Sequence, residues 1–300
     1  MIATVTLNPS LDYLIQMKEF RRGTVNRSES EQIFPGGKGI NVGLMLHRLG
    51  LDVCCLGFAA GFTGDEIVRR IESEGCRTNF ILLSDGLSRI NLKLKAKEES
   101  EINGGGPVVK EEEAQLLFSQ LEALKSGDVV VFAGSVPNSL PQNVYELWIE
   151  KLSDKRLRIV VDTTGDSLMR VLPFHPFLVK PNHYELGELF HQTLHSTEEI
   201  VEAARKVQQL GAQNVLVSCA GEGAVLLDET GALSIAKPPA GKLVNSVGAG
   251  DSMVAGFLAE FQKSGRYDYA LKFGIAAGSA TAFSEWLGSK EQVLTLYQQL

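Results

Sequence analysis

A glycine-rich segment ends in an aspartate, NSVGAGD over residues 245–251, and a predicted helix over 251–263 follows it. Backbone N–H groups in a glycine turn of this kind converge on an anion at the N-terminus of a helix. An aspartate alone at this position is typical of a simple helix N-cap. A fixed carboxylate beside a phosphate-binding turn is also what phosphoryl transfer requires, because the carboxylate takes the proton of the acceptor hydroxyl.

A second glycine-rich segment, PGGKGIN over residues 35–41, leads into a predicted helix over 38–49. A lysine in the first turn of a helix has the wrong sign for the helix dipole, which costs roughly a few tenths of a kcal/mol or more. An anion bound at that terminus reverses this argument. The alternative is a glycine turn that carries a solvated lysine. Lys38 is therefore a candidate anion-binding residue.

Polar residues and glycines follow five of the predicted strands. Ligands of an open α/β sheet bind outside the carboxyl ends of its strands. Any one of these residues is typical of an ordinary turn, but five successive strand ends favour a ligand crevice. The residues are Asn8, Asp12, Gly134, Ser135, Asp162, Thr163, Lys180, Pro181, Asn182, Ser218, Gly221 and Gly223.

Short apolar runs alternate with amphipathic helices and would position these side chains. The predicted strands cover 2–7, 52–58, 128–133, 158–162, 177–180 and 214–218. The predicted helices cover 38–49, 63–74, 111–125, 141–153, 183–190 and 197–210, and residues 250–300 are mostly helical. Strands that are apolar throughout are covered by helices on both faces. The pattern predicts an α/β fold, a doubly wound, mostly parallel sheet flanked by helices.

Local signals mark several helix ends. Thr63 with Glu66, and Ser196 with Glu199, have the spacing of a capping box. Three glycines stand where C-cap glycines belong, at positions 50, 75 and 211.

Two segments, 11–34 and 88–103, alternate with period two and lack helices. In the second, apolar side chains alternate with Arg89, Asn91, Lys93 and Lys95. One-sided alternation predicts an antiparallel sheet with one covered face. We expect one domain over 1–300 with a small β-sheet lid, in which Lys93 and Lys95 form a solvated basic edge.

Composition narrows the class of protein. The 300 residues are 44% apolar and 22% charged, which excludes a mainly disordered chain. The net charge of −7 gives no general attraction for nucleic acid or anionic lipid. Four cysteines without metal-binding spacing, and no apparent signal peptide or bilayer-length apolar stretch, lead us to expect a cytoplasmic protein. Neither a P-loop nor a G-x-G-x-x-G fingerprint occurs, which disfavours a P-loop NTPase and an NAD-dependent oxidoreductase.

Three segments, in the same order along the chain, resemble the ribokinase/PfkB family of sugar kinases: TLNPSLD (6–12), PGGKGINV (35–42) and SVGAGDSMVAGF (246–257). The resemblance covers essentially the whole chain. Within the family, RINLKLK (89–95), EINGGGP (101–107) and ATAFSE (280–285) most resemble kinases that act on fructose 1-phosphate, with tagatose-6-phosphate kinases as nearest neighbours.

The resemblance implies a ribokinase-like fold, ATP and Mg²⁺ as cofactors, and a phosphorylated ketohexose as substrate. It implies that Asp251 is the catalytic base and that Gly248, Ala249 and Gly250 form the anion hole. It further implies that sugar hydroxyls are bound by Asp12 and Asn41 beside Gly37. Lys38, Arg89 and Arg27 match the positions that hold the phosphate already on the sugar. The spacing of Asn91 from Arg89 suits a neighbouring hydroxyl, and Ser135 belongs to the same substrate crevice.

The remaining positions that the resemblance assigns concern the nucleotide. Asn182 and Glu185, within KPNHYE, resemble the N-x-x-E element near Mg²⁺, with Lys180 beside the nucleotide phosphates and Asp162 near the metal. Ser218, Gly221 and Gly223 lie in the segment that contacts nucleotide. The family pattern there is S-x-G-x-x-G, whereas position 220 is alanine. Asn245 replaces the aspartate of many sugar kinases, which weakens the case for a monovalent-cation site.

The resemblance thus predicts transfer of a phosphate from ATP to the 6-hydroxyl of fructose 1-phosphate, in a homodimer clasped through the lid. A kinase of tagatose 6-phosphate or fructose 6-phosphate is the alternative within the family. A non-catalytic sugar-phosphate-binding regulator is the alternative of another class, and the intact Asp251 counts against it.

Overall fold

The computed structural model describes residues 1–300. The strands are β1 Ile2–Thr6, β2 Ser10–Gln16, β3 Ser30–Gly36, β4 Val53–Ala60, β5 Arg77–Thr78, β6 Ile81–Leu83, β7 Arg89–Lys95, β8 Glu99–Asn103, β9 Val129–Ala133, β10 Arg158–Asp162, β11 Leu178–Val179, β12 Asn214–Ser218, β13 Ala224–Leu227 and β14 Leu233–Ala236. The helices are α1 Lys38–Arg48, α2 Gly61–Ser73, α3 Glu111–Glu122, α4 Val144–Leu152, α5 Gly165–Val171, α6 His183–Leu189, α7 Thr197–Gln209, α8 Ala249–Ser264, α9 Tyr267–Ala282 and α10 Lys290–Tyr297.

Ten strands form the main sheet, in the order β14-β13-β12-β11-β10-β9-β1-β4-β5, with β6 also paired to β4. The pairs from β12 to β5 are parallel, and β13 and β14 extend the sheet antiparallel. The chain proceeds from β1 to β4 on one side and later enters β9 on the other side, so the strand order reverses beside β1. A crevice opens outside the carboxyl ends of the strands at such a reversal.

Side chains that alternate along the strands supply two cores, one on each face of the main sheet. One core of 38 buried residues joins the sheet to α3–α7, and the other, of 35 buried residues, joins it to α1, α2 and α8–α10. In β9, Val130 and Phe132 enter the first core, whereas Val129 and Val131 enter the second. Burial on both faces explains why the strands are apolar throughout, and it confirms the predicted doubly wound α/β class.

A second sheet of four strands has the order β3-β2-β7-β8. It confirms strands within 11–34 and 88–103, but the predicted antiparallel pairing is wrong for β2 and β7, which run parallel. The chain passes through β4 and α2 between those two strands, and such a crossover is what a parallel pair requires. Adjacent rows across this sheet point to opposite sides. One row is Phe34, Asp12, Asn91 and Asn103; the next is Ile33, Tyr13, Leu92 and Ile102.

The small sheet also contacts the segment that follows α9. Phe34 stacks on Trp286, with ring centroids 5.0 Å apart, and the Arg48 guanidinium lies 4.8 Å from the centre of the same indole. Gln32 Nε2 donates to Glu285 Oε2 at 2.9 Å. The edge strand β3 is therefore held against the body of the molecule by both apolar and polar contacts.

Of the predicted helix ends, the C-terminal glycines are confirmed and the N-terminal capping boxes are not fully formed. Glycines 50, 75 and 211 have positive φ and follow the last turns of α1, α2 and α7, as predicted. The Ser196 hydroxyl caps α7 by accepting from the Glu199 N–H at 3.2 Å, but the Glu199 carboxylate accepts from the His195 N–H, so only half of that capping box forms.

The capping box predicted at Thr63 is wrong. Helix α2 already begins at Gly61, so Thr63 lies inside its first turn rather than at the cap. The buried hydroxyl donates to the Ser88 carbonyl at 2.8 Å and ties α2 to the segment before β7. Glu66 pairs instead with Arg69 and Arg70.

The last third of the chain is mostly helical, as predicted, with α8 and α9 packed along each other. No helix in the structure has both the length and the apolar character needed to cross a bilayer.

Candidate active site

A polar cavity of about 610 Å³ opens at the carboxyl ends of the main-sheet strands, under the small sheet. It lies where the strand order reverses, as the fold predicts. All but one of its lining residues are polar or glycine. Those that the sequence predicted are Asn8, Asp12, Gly37, Lys38, Asn41, Arg89, Asn91, Gly134, Ser135, Thr163, Lys180, Asn182, Glu185, Ser218, Gly248, Gly250 and Asp251.

Asp251 lies in the first turn of α8, whose N-cap is Gly248, so the simple N-cap interpretation of this aspartate is wrong. Its side chain is buried, and Oδ2 accepts from Asn41 Nδ2 at 2.8 Å. Burial, followed by the nearby Asp162 carboxylate, raises the pKa of Asp251 to about 6. A carboxylate with a pKa near neutrality is suited to general-base chemistry.

Lys38 and Lys180 converge on the buried carboxylate of Asp162. Lys38 Nζ lies 2.9 Å and Lys180 Nζ 3.6 Å from Asp162 Oδ1. Burial opposes the charge on Asp162, but the two ammonium groups outweigh it and lower the pKa of Asp162. Burial likewise disfavours the charged Lys38, yet Asp162 and the other acids of the cavity raise the pKa of Lys38 above its usual value. Lys38 is thus paired across the crevice, and the solvated lysine of the alternative interpretation is not found.

The N-terminus of α8 faces the same cavity. Gly248 adopts the left-handed conformation, φ 79°, that lets the chain turn into the helix. The Ala249 N–H donates to the Ser246 carbonyl at 3.2 Å, whereas the Gly250 N–H has no acceptor in the protein. A Cβ on Gly250 would lie 3.2 Å from Lys180 Nζ, so the Lys180 ammonium lies close to this glycine. Of the predicted glycine turn, Gly248 and Gly250 line the cavity and Ala249 does not.

The small sheet contributes the opposite wall. Arg89 is half-buried, and its Nε donates to the Asn8 carbonyl at 3.0 Å. It forms no ion pair with a carboxylate within 4.0 Å, and burial lowers the pKa of Arg89 although the Asp12 carboxylate acts in the opposite direction. The guanidinium therefore presents a positive charge that no carboxylate of the protein contacts directly.

Asp12 is held by its neighbours on the small sheet. Its Oδ1 accepts from Ser10 Oγ at 2.7 Å and from Asn91 Nδ2 at 3.0 Å, and its Oδ2 lies 3.1 Å from Lys93 Nζ. The predicted solvated basic edge is therefore wrong for Lys93, whose side chain is only 16% exposed. Pairing of β2 with β7, with Asp12 opposite Asn91, places Lys93 beside Asp12.

Three buried side-chain oxygens of this region have no hydrogen-bond partner in the protein: Thr6 Oγ1, Asn8 Oδ1 and Asp162 Oδ2. An unsatisfied buried acceptor costs about 1–3 kcal/mol. Thr6 and Asn8 line the cavity, and Asp162 contacts the lining residues Lys38 and Lys180. Buried oxygens of this kind are normally satisfied by a ligand or by ordered water.

Asn182 and Glu185 form a capping box at the start of α6. Asn182 Oδ1 accepts from the Glu185 N–H at 2.9 Å, and the Glu185 carboxylate accepts from the Asn182 N–H at 2.8 Å. One oxygen of Glu185 is thus used within the helix cap. No cluster of three or more His, Cys, Asp or Glu side chains is placed to hold a metal unaided. Mg²⁺ in kinase sites takes one or two carboxylates completed by phosphates and water, which Asp162 and Glu185 fit.

Five predicted site residues do not line the cavity: Arg27, Asp162, Gly221, Gly223 and, as stated above, Ala249. Asp162 is buried behind the lining, where Lys38 and Lys180, which do line the cavity, pair with its carboxylate. Arg27 is exposed in the segment between β2 and β3. Gly221 and Gly223 lie on the turn after β12, outside the cavity lining. Ala220, where the family pattern has glycine, adopts φ 48° in the left-handed region, whereas Gly221 does not. The turn keeps the conformation that glycine favours although its glycine is displaced by one position.

Several lining residues were not predicted from the sequence: Thr6, Ser10, Lys93, Glu101, Asn103, Thr164 and Val247. Most lie on β2, β7 and β8, where any alternate residue could face either side until the pairing is known. Asn245 is also accounted for by local contacts, because its amide donates to the Glu285 carbonyl and accepts from the Val247 N–H.

Comparisons with known proteins agree with this geometry. The model of the pfkB family of carbohydrate kinases matches residues 5–291. The 1-phosphofructokinase of Bacillus subtilis (strain 168) is 46% identical over 100% of this chain and 98% of its own length. The D-tagatose-1-phosphate kinase of Bacillus licheniformis is 36% identical over 96% of this chain and 94% of its own. Phosphofructokinase-2 of Escherichia coli, solved with substrates and products, superposes with a TM-score of 0.94, 29% identity, and coverage of 99% and 98%.

These matches span the whole fold, including the cavity and both of its walls. They confirm the resemblance drawn from the three sequence segments, and with it an ATP-dependent sugar kinase. The chain belongs to the pfkB family of carbohydrate kinases.

Proposed function

We propose that this kinase transfers the γ-phosphate of ATP to the 6-hydroxyl of fructose 1-phosphate and gives fructose 1,6-bisphosphate. The observation that carries the proposal is the Asp251 carboxylate, buried in the polar cavity with a pKa raised to about 6 by burial. The name of the B. subtilis relative supports the choice of substrate.

Asp251 accepts the proton of the attacking hydroxyl in this scheme. The Asn41 amide fixes the orientation of the carboxylate, because it donates to Oδ2. The free N–H of Gly250 and the ammonium of Lys180 stabilise negative charge on the transferring group. Lys38 exchanges its contact with Asp162 for a phosphate oxygen when the cavity is filled.

Arg89 is the residue best placed for the phosphate already on the sugar, because no carboxylate contacts its charge directly. Asp12 and Asn91 lie two rows further along the same face of the small sheet and bind sugar hydroxyls. Gly37 and Ser135 complete this side of the cavity. Arg27 could contribute only from a second copy of the chain, since it lies outside the cavity.

In this proposal the nucleotide binds beside Asn182 and Ser218. The part of it farthest from the γ-phosphate contacts the turn that carries Gly221 and Gly223. Mg²⁺ neutralises charge that develops between the β- and γ-phosphates of such nucleotides. Asp162 and Glu185 would hold it, and the unpaired Oδ2 of Asp162 supports this assignment. We also propose a cytoplasmic setting, because the relatives of this chain are metabolic kinases.

We further propose one ribokinase-like domain over 1–300 whose small sheet is a lid, and a homodimer that pairs the lids of two chains. The outward row of this sheet is apolar and exposed, with Ile33 at 38% and Ile102 at 61%. The neighbouring Ile90 is 48% exposed. A second copy would cover this face. A tetrameric form of the E. coli phosphofructokinase-2 has been solved, and that relative shares 29% identity.

A second candidate substrate is D-tagatose 1-phosphate, on which the B. licheniformis relative acts by name. The two ketohexose phosphates differ in the configuration of one hydroxyl, so both present the same phosphate to Arg89. Discrimination between them then depends on the residues that contact sugar hydroxyls.

The test is a panel of four substrates, fructose 1-phosphate, tagatose 1-phosphate, fructose 6-phosphate and tagatose 6-phosphate, with MgATP and an assay coupled to ADP release. We expect the highest kcat/KM with fructose 1-phosphate, and mass spectrometry should identify a bisphosphate product. A higher kcat/KM with another member of the panel would identify that compound, instead of fructose 1-phosphate, as the substrate. Binding of sugar phosphate without ADP release would instead support the non-catalytic regulator.

A further inference from the structure

The Asp12 carboxylate is the most restrained acidic group on the wall formed by the small sheet. Three side chains contact it, Ser10, Asn91 and Lys93, at 2.7–3.1 Å. Gly36 of β3 packs closely against the same carboxylate, because a Cβ at that position would lie 2.5 Å from Asp12 Cγ. The carboxylate therefore has little freedom to rotate.

The Lys93 ammonium is held beside the Asp12 carboxylate. Its Nζ lies 3.1 Å from Asp12 Oδ2 and 3.9 Å from Glu101 Oε1, with Asp12 and Lys93 each only 16% exposed. The strand pairing explains the arrangement: β7 lies between β2 and β8, and Glu101 stands directly opposite Lys93. Arg89, four residues earlier on the same strand, has no such acidic partner. Arg89 and Lys93 are thus placed for different tasks, although they lie on the same strand.

We propose that Lys93 is a positioning residue that fixes the orientation of the Asp12 carboxylate for one hydrogen bond from a sugar hydroxyl. This inference rests on the proposed function, since it needs a sugar phosphate in the cavity. An ionised carboxylate offers about four acceptor sites. Ser10, Asn91 and Lys93 use three of them, and the one that remains is the site for the substrate. Lys93 also separates Asp12 from the second acid, Glu101, and so reduces repulsion between them.

The test compares Lys93→Met, which keeps the apolar stem and removes the charge, with Lys93→Arg, which keeps the charge. Lys97→Met is the matched control, because Lys97 is exposed and forms no ion pair. We expect Lys93→Met to raise KM for fructose 1-phosphate about 10-fold. Its kcat, its KM for ATP and its melting temperature should stay close to those of the unmodified protein, and Lys93→Arg should recover most of the loss.

A double variant separates action through Asp12 from direct contact with the substrate. If Lys93 acts through Asp12, Asp12→Asn combined with Lys93→Met is no worse than Asp12→Asn alone. Additive losses would overturn the inference, because Lys93 would then bind substrate itself. Equal losses for sugar phosphate and ATP, or no loss in Lys93→Met, would also overturn it.

The two proposals fail in different ways. An unmodified protein that turns over none of the four sugar phosphates overturns the proposed function and this inference with it. An active protein whose Lys93→Met variant matches Lys97→Met overturns the inference alone.

Discussion

The surroundings of the Asp251 carboxylate act on its pKa in opposite directions. Burial and the Asp162 carboxylate raise its pKa, while Lys38, Lys180 and the Asn41 amide act in the opposite direction. The balance, near 6, leaves the carboxylate ionised at neutral pH yet basic enough to accept a proton. Lys38 and Lys180 therefore lower the pKa of the proposed base, in addition to the phosphate contacts proposed for them.

The first prediction concerns this balance. Protonation removes the base, so kcat should fall as pH drops through about 6, by about tenfold per pH unit. Asp251→Asn keeps the shape of the side chain and should lower kcat by roughly 10²–10⁴-fold with little change in ATP binding.

The substrate phosphate also titrates near pH 6, so the control is the pH profile of the residual Asp251→Asn activity. That profile should lack the acid limb in kcat. If Asp251→Asn retains kcat within a factor of about three, a base role for Asp251 is excluded.

The second prediction concerns Arg89. Arg89→Ala removes a charge that faces the cavity and that no carboxylate contacts directly, and it should cost about 1.5–3 kcal/mol in kcat/KM for the sugar phosphate, mainly through KM. Arg205→Ala, an exposed change on α7, is the control. Steady-state constants for both substrates check the prediction, and an equal rise in KM for ATP would contradict it.

At the scale of elements, Glu185 has two roles at the start of α6: its carboxylate caps the helix, and it is a proposed ligand of Mg²⁺. Glu185→Gln preserves the cap, because a glutamine oxygen can still accept from the Asn182 N–H. The change removes only the charge. We expect the Mg²⁺ concentration for half-maximal activity to rise several-fold and kcat to fall.

Titration of activity against Mg²⁺ at fixed ATP measures this effect, and a thermal melt confirms that the cap is intact. The same Mg²⁺ dependence in Glu185→Gln as in the unmodified protein would remove Glu185 from the metal site.

The turn after β12 yields a prediction about stability. Ala220 adopts φ 48°, a conformation that costs an alanine roughly 1 kcal/mol relative to glycine. Ala220→Gly should therefore raise the free energy of unfolding by up to about 1 kcal/mol, less the added flexibility of the unfolded chain. Urea denaturation measures the change. Gly221→Ala, at a position without positive φ, is the comparison and should not destabilise the turn.

Helices and strands that depend on local sequence periodicity could be predicted, whereas those that depend on pairing with a distant strand could not. The helix over 38–49 and the strand over 128–133 follow from local periodicity, and the structure has them as Lys38–Arg48 and Val129–Ala133. The hairpin of β13 and β14 was not predicted, because four-residue apolar runs do not distinguish a strand from part of a buried helix. Its place in the sheet depends on pairing with β12.

The residues of the site also differ in whether local sequence or distant strand pairing places them. Asp251, Asn41 and Lys38 lie in glycine-rich segments that are recognisable in the sequence, and the structure brings them together. Lys93 looked like part of a solvated edge, because nothing local indicates that β7 pairs with a strand 79 residues earlier. Only that pairing brings Asp12 beside Lys93.

The whole molecule presents an apolar row that one chain leaves uncovered. The fifth prediction is that the protein sediments as a dimer of 32.6 kDa chains and that Ile102→Asp shifts it to monomer, since a charge on the lid row opposes burial. Leu294→Asp, on α10 and 44% exposed, is the control and should leave the dimer intact. Sedimentation velocity measures both, and a monomeric unmodified protein would contradict the lid-to-lid dimer.

The stacking of Phe34 on Trp286 has a consequence for spectroscopy. The chain has two tryptophans, and the other, Trp148, is 6% exposed in the core beside Phe118. In a Trp148→Phe protein all indole emission arises at the contact between the small sheet and the body. Any displacement of Phe34 or Arg48 changes the surroundings of that ring. The wavelength and intensity of its fluorescence therefore report the position of the sheet, and stopped-flow mixing can follow that signal while sugar phosphate and nucleotide bind.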